Sequence, residues 1–282
     1  MELDGGLGVG HLWYFVWCSP SDGQNMSDNL KFLAFETSTE MMSVAVSRGT
    51  QTWHHHGAGG PNASAQLIPT IQDLLRQADL SLNDLSALVI GHGPGSFTGL
   101  RTACSVAQGL AMGAHLKVIQ IDTLMAVAEQ ARSMLDAVAT QNSHTHPVGV
   151  LVDARMSEVY AGAYQWSTET NEWQSVLPLQ VGPPEAMLDA LHNLPQRCCV
   201  FAGNGLDVYK ERLHSLGLFN APESVLCASA VPHALALLRL APVQWARGQA
   251  IAPDAVLPLY IRDKVAQTTA EREAIKASKL NA

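Results

Sequence analysis

The sequence predicts an α/β fold of two lobes, each a mixed sheet with flanking helices. Three observations carry this. Near the start, three short apolar runs are joined by turns too short for a helix, which marks antiparallel neighbours. Helix-like and strand-like patterns alternate after that. The same order, consecutive strands and then alternation, begins again at Val148. A chain of 282 residues with 47% hydrophobic side chains can fill one large core or two lobes.

The three opening strands are expected at Lys31 to Glu36, Met42 to Ser47 and Gln51 to His56. A helix follows because Leu67, Ile68, Ile71, Leu74, Leu75 and Ala78 recur at helical spacing. Pro69 must sit near its first turn or kink it. A strand over residues 85–91, a helix over 98–113, a strand over Leu116–Ile121 and a helix over Thr123–Val138 complete the first lobe, residues 30–140. Gln141 to Pro147 reads as a linker.

The second lobe, residues 147–250, restarts with Val148–Val152, a turn, then Glu158–Tyr164 and a third strand over Trp173–Val181. Pro183–Leu191, Cys198–Ala202 and Leu206–Leu213 continue the alternation. Ser229 is the expected cap of a last long helix, with Pro232 in its first turn, reaching about Arg247. Residues 251–282 form a C-terminal segment whose polar end, from Ala266, reads as a mobile tail. Residues 1–29 read as a foreign or disordered leader, with Met26 the expected natural start. No Lys or Arg precedes Lys31, so the leader lacks the basic start of a signal peptide.

Composition narrows function. The net charge of −8 argues against this chain alone gripping an RNA backbone, which requires Lys and Arg on phosphates. Five cysteines without a Cys-x-x-Cys pair fit a reducing cytoplasm. No apolar run is long enough to span a membrane.

The strongest local signal is Gly-Pro-Gly-Ser-Phe-Thr-Gly-Leu-Arg at residues 93–101. A strand ends in a glycine-rich turn and a helix starts, with Ser96 or Thr98 as its cap. Such a turn aims free N–H groups at one point, the geometry that meets an anion or phosphate. Within the helix, small residues recur every four positions in two rows. One is Gly99, Ala103, Ala107 and Ala111, and the other is Ser105, Gly109 and Gly113. One row suits tight packing on the chain's own sheet. Two rows suit a second close neighbour as well.

This segment closely resembles the signature of the TsaB (YeaZ) family of the tRNA threonylcarbamoyladenosine pathway. Phe32-Leu-Ala-Phe-Glu-Thr-Ser-Thr39 resembles the family's opening strand and turn. Leu151-Val-Asp-Ala-Arg-Met-Ser-Glu-Val-Tyr160 resembles its second-lobe hairpin, and Leu259-Tyr-Ile-Arg-Asp263 its C-terminal motif. The resemblance runs from about residue 30 to 264 in the same order.

It implies the actin, sugar-kinase and Hsp70-like (ASKHA, ribonuclease H-like) fold. It also implies a cytoplasmic, non-catalytic subunit that pairs with TsaD, the enzyme that transfers threonylcarbamoyl to the adenosine next to the anticodon. The ATPase TsaE joins that assembly, and tRNA is met only through the complex. The interface candidates are Leu100, Arg101, Ala103, Val106, Ala107 and Leu110. Without its partner the same helix is expected to form a homodimer.

In this fold the first hairpin turn faces nucleotide phosphates. Here it is Glu36, Thr37, Ser38 and Thr39, with Glu where active members often carry Asp. Hydroxyls that satisfy a tight turn are the plainer account. Gly93, Gly95 and Ser96 are the candidates on the glycine-rich turn. Asp153 should emerge at the cleft. An Asp153–Arg155 or Arg155–Glu158 ion pair is the plainer account of the hairpin carrying Asp153, Arg155, Glu158 and Tyr160, and a polar contact across the cleft or to a partner is the alternative. Gly203 and Gly205 resemble the adenosine-side turn or serve as a simple strand-to-helix turn. No cofactor is expected to be held firmly by this chain alone, and ATP or ADP at a subunit junction stays open.

A small-molecule kinase of the same fold is the alternative, with Asp153 as its only good base. A peptidase is weaker still, because no Ser/His/Asp signature is present and no two histidines lie four apart. His54, His55 and His56 read as an exposed strand end rather than a metal site, since adjacent residues of a strand alternate faces. His144 and His146 read as linker residues.

Overall fold

The computed structural model describes residues 29–137, 146–217 and 224–262. Residues 1–28 of the expected leader, 141–145 of the expected linker 141–147 and the tail after residue 262 lie outside the described residues.

The first sheet is built from β1 (Lys31–Glu36), β2 (Met41–Arg48), β3 (Gln51–Ala58), β4 (Ala87–Gly93) and β5 (Lys117–Asp122) in the order β3-β2-β1-β4-β5. The second uses β6 (Val148–Asp153), β7 (Val159–Ser167), β8 (Glu172–Gly182), β9 (Val200–Ala202) and β10 (Val225–Cys227) in the order β8-β7-β6-β9-β10. Both sheets begin with an antiparallel meander and add two parallel strands beside their first strand. The two orders correspond strand for strand. This is the duplicated, two-lobed actin-like ASKHA architecture.

The helices are α1 (Ala63–Gln77), α2 (Phe97–Ala114), α3 (Thr123–Ala137), α4 (Pro184–His192), α5 (Gly205–Val208), α6 (Lys210–Ser215) and α7 (Ala234–Ala246). Strand alternation sorts the core into layers. From β1, Leu33 and Phe35 join an outer core with α1 and α2, while Phe32 and Ala34 face a central core. That central core holds Leu124, Val127 and Ala131 of α3, Leu237 and Ala241 of α7, and Val150 and Ala202 of the second sheet. Thus α3 and α7 lie between the sheets, and α4 and α6 cover the far face of the second.

The buried Glu129 carboxylate of α3 tightens this junction. It accepts from Arg132 and Arg239 Nε, and from Trp173 Nε1 at 3.0 Å, so α3, α7 and β8 share one satisfied charge. The chain then returns to the first lobe. Residues 250–262 form a strap, bonded by Ile251 to Val118 and by Leu259 N–H to the His92 carbonyl at 2.7 Å.

Several boundaries differ from the expectation. The last helix is capped by His233, whose Nδ1 accepts from Leu235 N–H at 3.1 Å, and not by Ser229. Pro232 therefore precedes the helix. Pro69 lies inside an unbroken α1. The stretch 206–213 is two short helices, and β10, only three residues long, has no pattern to reveal it.

Candidate functional site

The carboxyl ends of β1, β4 and β6 open on one side of the molecule, the place where open α/β sheets receive ligands. A cleft of about 320 Å³ lies there, between the turns after β1 and β4 on one wall and the turn after β6 on the other. Of the candidates named from the sequence, Ser38, Thr39, Gly95, Ser96 and Asp153 line it. Glu40, Arg155, Tyr160, Asn204 and Arg262 line it too.

The first wall is a close fit of turn on turn. Thr37 Oγ1 donates to the Gly99 carbonyl at 2.8 Å, and Ser96 N–H donates to the Ser38 carbonyl at 2.7 Å. Ser96 is the cap of α2, its Oγ accepting from Gly99 N–H at 3.4 Å. Gly95 is required because a Cβ there would stand 2.5 Å from Ser38 Cβ.

Glu36 does not face the cleft. It is buried under the glycine-rich turn, and its Oε2 lies against Gly91, leaving no space for a Cβ. Oε1 accepts from Ser38 N–H at 2.6 Å. Burial drives the carboxyl above its usual range, although the Ser38 hydroxyl and nearby amides favour the charged form. Glu36 and Thr37 are thus removed from the phosphate-facing set. Gly93 goes with them, buried beside Leu259. Gly203 and Gly205 are likewise packed on the Leu151 carbonyl, and only Asn204 between them reaches the cleft.

The second wall is held by Asp153. Its Oδ1 accepts from Arg155 N–H and from the Tyr209 hydroxyl, both at 2.9 Å, and its own N–H donates to Asn204 Oδ1 at 3.0 Å. Burial and the bond to Asp153 push the Tyr209 phenol up to about 12. Arg155 Nη1 lies 3.6 Å from Asp153, so the local ion pair exists, while Nη2 reaches across the cleft to Glu40 at 2.8 Å. Glu158 pairs with Arg262 of the strap and not with Arg155. Each acid of the cleft therefore has an arginine partner. Asp153, engaged by three groups, is poorly placed to take a substrate proton.

The two small-residue rows of α2 have separate tasks. Gly99, Ala103, Ala107 and Ala111 are buried on the first sheet. Leu100, Ala103 and Ala107 are each no more than 1% exposed, so they are core residues and cannot meet a partner. Val106 and Leu110 are half-buried against the same core. Ser105, Gly109 and Gly113 face outward, with nothing within 4 Å of a Cβ at either glycine. Arg101 also faces out. Its guanidinium sits 3.7 Å from the Phe97 ring and its Nε donates to the Tyr260 hydroxyl at 3.0 Å. Met112 and Leu257 are exposed nearby, at 63% and 66%.

On the edge strand β3 His56 is exposed as expected, while His54 and His55 are half-buried. His54 and His56 pack against His233, with ring centroids 6.3 and 4.7 Å away. Among the described residues no group of His, Cys, Asp and Glu is arranged to hold a metal ion. No helix among them is long and apolar enough to cross a membrane.

A polar contact across the cleft is among the readings of this hairpin, but its partner Glu40, like Tyr209 and Asn204, has no signal in the sequence because these groups join segments far apart in the chain. Arg262 had a signal, its place in the motif at 259–263.

The sequence and the architecture match known proteins. A family model described as TsaD, tRNA N6-adenosine threonylcarbamoyltransferase, matches residues 55–269. The tRNA threonylcarbamoyladenosine biosynthesis protein TsaB of Haemophilus influenzae is 32% identical, covering 84% of this chain and 95% of its own. The Escherichia coli protein of that name is also 32% identical, covering 84% of this chain and 96% of its own. A solved structure, YeaZ from Pseudomonas aeruginosa, superposes with a TM-score of 0.69 at 33% identity, over 82% of this chain and 99% of the other. The chain belongs to the TsaB (YeaZ) family of tRNA threonylcarbamoyladenosine biosynthesis proteins.

Proposed function

We propose that this chain is a non-catalytic subunit that works with a TsaD-like transferase and a TsaE-like ATPase in threonylcarbamoyl transfer to tRNA. The observation that carries this is the state of its cleft. The carboxylate that would face phosphates or a metal, Glu36, is buried and biased toward its neutral form. The one placed to act as a base, Asp153, is bound by Tyr209 and Arg155. The outward row Ser105, Gly109 and Gly113 supports α2 as the partner face, because it lets a second helix approach closely. The same face accounts for a homodimer when the partner is absent. ATP or ADP at the subunit junction stays part of this reading, supported by the amino end of that same helix opening on the cleft.

The test is a reconstituted tRNA modification assay containing TsaD, TsaE and the adenylate-forming enzyme, with and without this chain. Modification should depend on its addition. Equal modification without it would remove the subunit role.

A further inference from the structure

The turn after β6 is unusual. Arg155, Met156 and Ser157 follow one another in the left-handed region, with φ of 61°, 55° and 63°. Side chains other than glycine rarely adopt it, and runs of it persist only where the surroundings impose them, most often at functional sites. Here the imposition is visible. Asp153 fixes Arg155 N–H, Arg212 Nη1 donates to the Ser157 carbonyl at 3.2 Å, and Arg262 holds Glu158. The result is an arginine whose backbone is fixed while its head lies exposed in the cleft mouth, at 71%, between Asp153 and Glu40.

That head is aimed at the opposite lobe. Its partner Glu40 is equally accessible, at 72%, and is anchored through its carbonyl, which accepts from Gly59 N–H at 2.9 Å. An ion pair this exposed is weak and readily exchanged. The amino end of α2, with its partial positive charge, lies on the same wall as Glu40. Arg155 and Arg262 stand against Glu40 and Asp153 in the lining of the cleft, so its acids and bases are equal in number. Glu40 is the one of these two acids that comes from the first lobe.

We infer that Arg155 is an anion-binding residue of the cleft and that Glu40 is its internal competitor. The carboxylate of one lobe occupies the guanidinium of the other until a phosphate group displaces it. A guanidinium binds phosphate oxygens in the same forked geometry that it offers a carboxylate, so the exchange needs only a rotation of the arginine head. This rests on the reading that the cleft accepts a phosphate-bearing ligand. In the resting chain Glu40 lowers the affinity for such a ligand. A partner that draws Glu40 away would raise it.

The test is calorimetric titration of the full chain with sodium pyrophosphate at low salt, using wild type, Glu40→Gln, Arg155→Gln and the double variant. Both side chains are exposed, so all four proteins should fold alike, and their thermal midpoints check this. Glu40→Gln should bind pyrophosphate about three- to tenfold more tightly, the scale set by an exposed ion pair and a lost like charge. Arg155→Gln should bind more weakly, and the double variant no more tightly than Arg155→Gln alone. Binding by wild type that Glu40→Gln leaves unchanged overturns the competition while sparing the cleft. A gain that persists without Arg155 overturns it too, since charge alone would then explain it. Pyrophosphate binding by none of the four overturns both the competition and the phosphate reading.

Discussion

Gly99 of α2 lies directly on the carbonyl of Thr37, so close that a Cβ at this position would overlap the oxygen, and Thr37 Oγ1 returns a bond to the Gly99 carbonyl at 2.8 Å. The glycine-rich helix start is therefore a seam between two turns of one lobe. Ten residues on, a Cβ at Gly109 would point into open space, with nothing within 4 Å. The two glycines of one helix should respond to alanine with opposite signs. Gly99→Ala should destabilise the chain by about 1–3 kcal/mol through overpacking against backbone. Gly109→Ala should stabilise it by about 0.5–1 kcal/mol through helix propensity. Urea midpoints at constant slope measure both.

The partner face is tested by size at the outward row. Gly109→Trp should leave the fold intact and weaken pairing with a TsaD-like partner by more than about tenfold. Ala107→Trp is no test of the interface. Ala107 is fully buried on the first sheet, so a tryptophan there should abolish folding. Sedimentation of each variant alone and with the partner separates the outcomes. Gly109→Trp that pairs at wild-type affinity would move the interface off this helix.

The same helix shows where the sequence is legible and where it is not. Strand positions could be read because β1, β4 and β6 are buried on both faces and appear as unbroken apolar runs such as Leu33-Ala-Phe35 and Leu88-Val-Ile90. The period of α2 could be read as well. Which small row faced the sheet could not, because alanine, serine and glycine differ too little in hydrophobicity to mark an inner side. Only the location of Leu100 and Cys104 beside the first row hints at the answer. Glu36 was misplaced because the strand pattern gives the end of β1 but not the direction of its last side chain. That direction depends on Gly91, 55 positions away, having no Cβ to exclude it.

A pH dependence follows from the histidine group at the lobe junction. His233 is lowered to about 3, first by burial and then by His56 and His54. Its Nδ1 must stay unprotonated to accept from Leu235 N–H at the start of α7. A histidine with a depressed folded pKa binds fewer protons folded than unfolded. Its contribution is complete above the unfolded value of 6.5 and is lost as pH falls from there toward about 3. His54 and His56, both lowered, act in the same direction. Wild type at pH 5 should be less stable than at pH 8 by about 1–2 kcal/mol from His233 alone. His233→Asn keeps a capping oxygen and should flatten that slope. A slope unchanged by the substitution would place the pH sensitivity elsewhere.

Glu36 should behave in the opposite sense. Its folded pKa is raised above 4.5 by burial, so the neutral carboxyl is the form that fits. That contribution is complete below 4.5 and is lost as pH rises through the folded value. Its buried Oε2 and the Ser38 hydroxyl have no hydrogen-bond partner of normal geometry. The Ser38 hydroxyl favours the charged carboxylate and burial favours the neutral acid, and burial is the larger effect. Glu36→Gln places an amide donor at the Oε2 position and keeps Oε1 for Ser38 N–H. The variant should match wild type at pH 4 and exceed it at pH 8, read by thermal midpoints at both. It should also retain full support of tRNA modification, because Glu36 points under the turn and away from the cleft. Equal destabilisation at both pH values would mean that the carboxylate is held charged. Lost modification in a stable protein would return Glu36 to the functional surface.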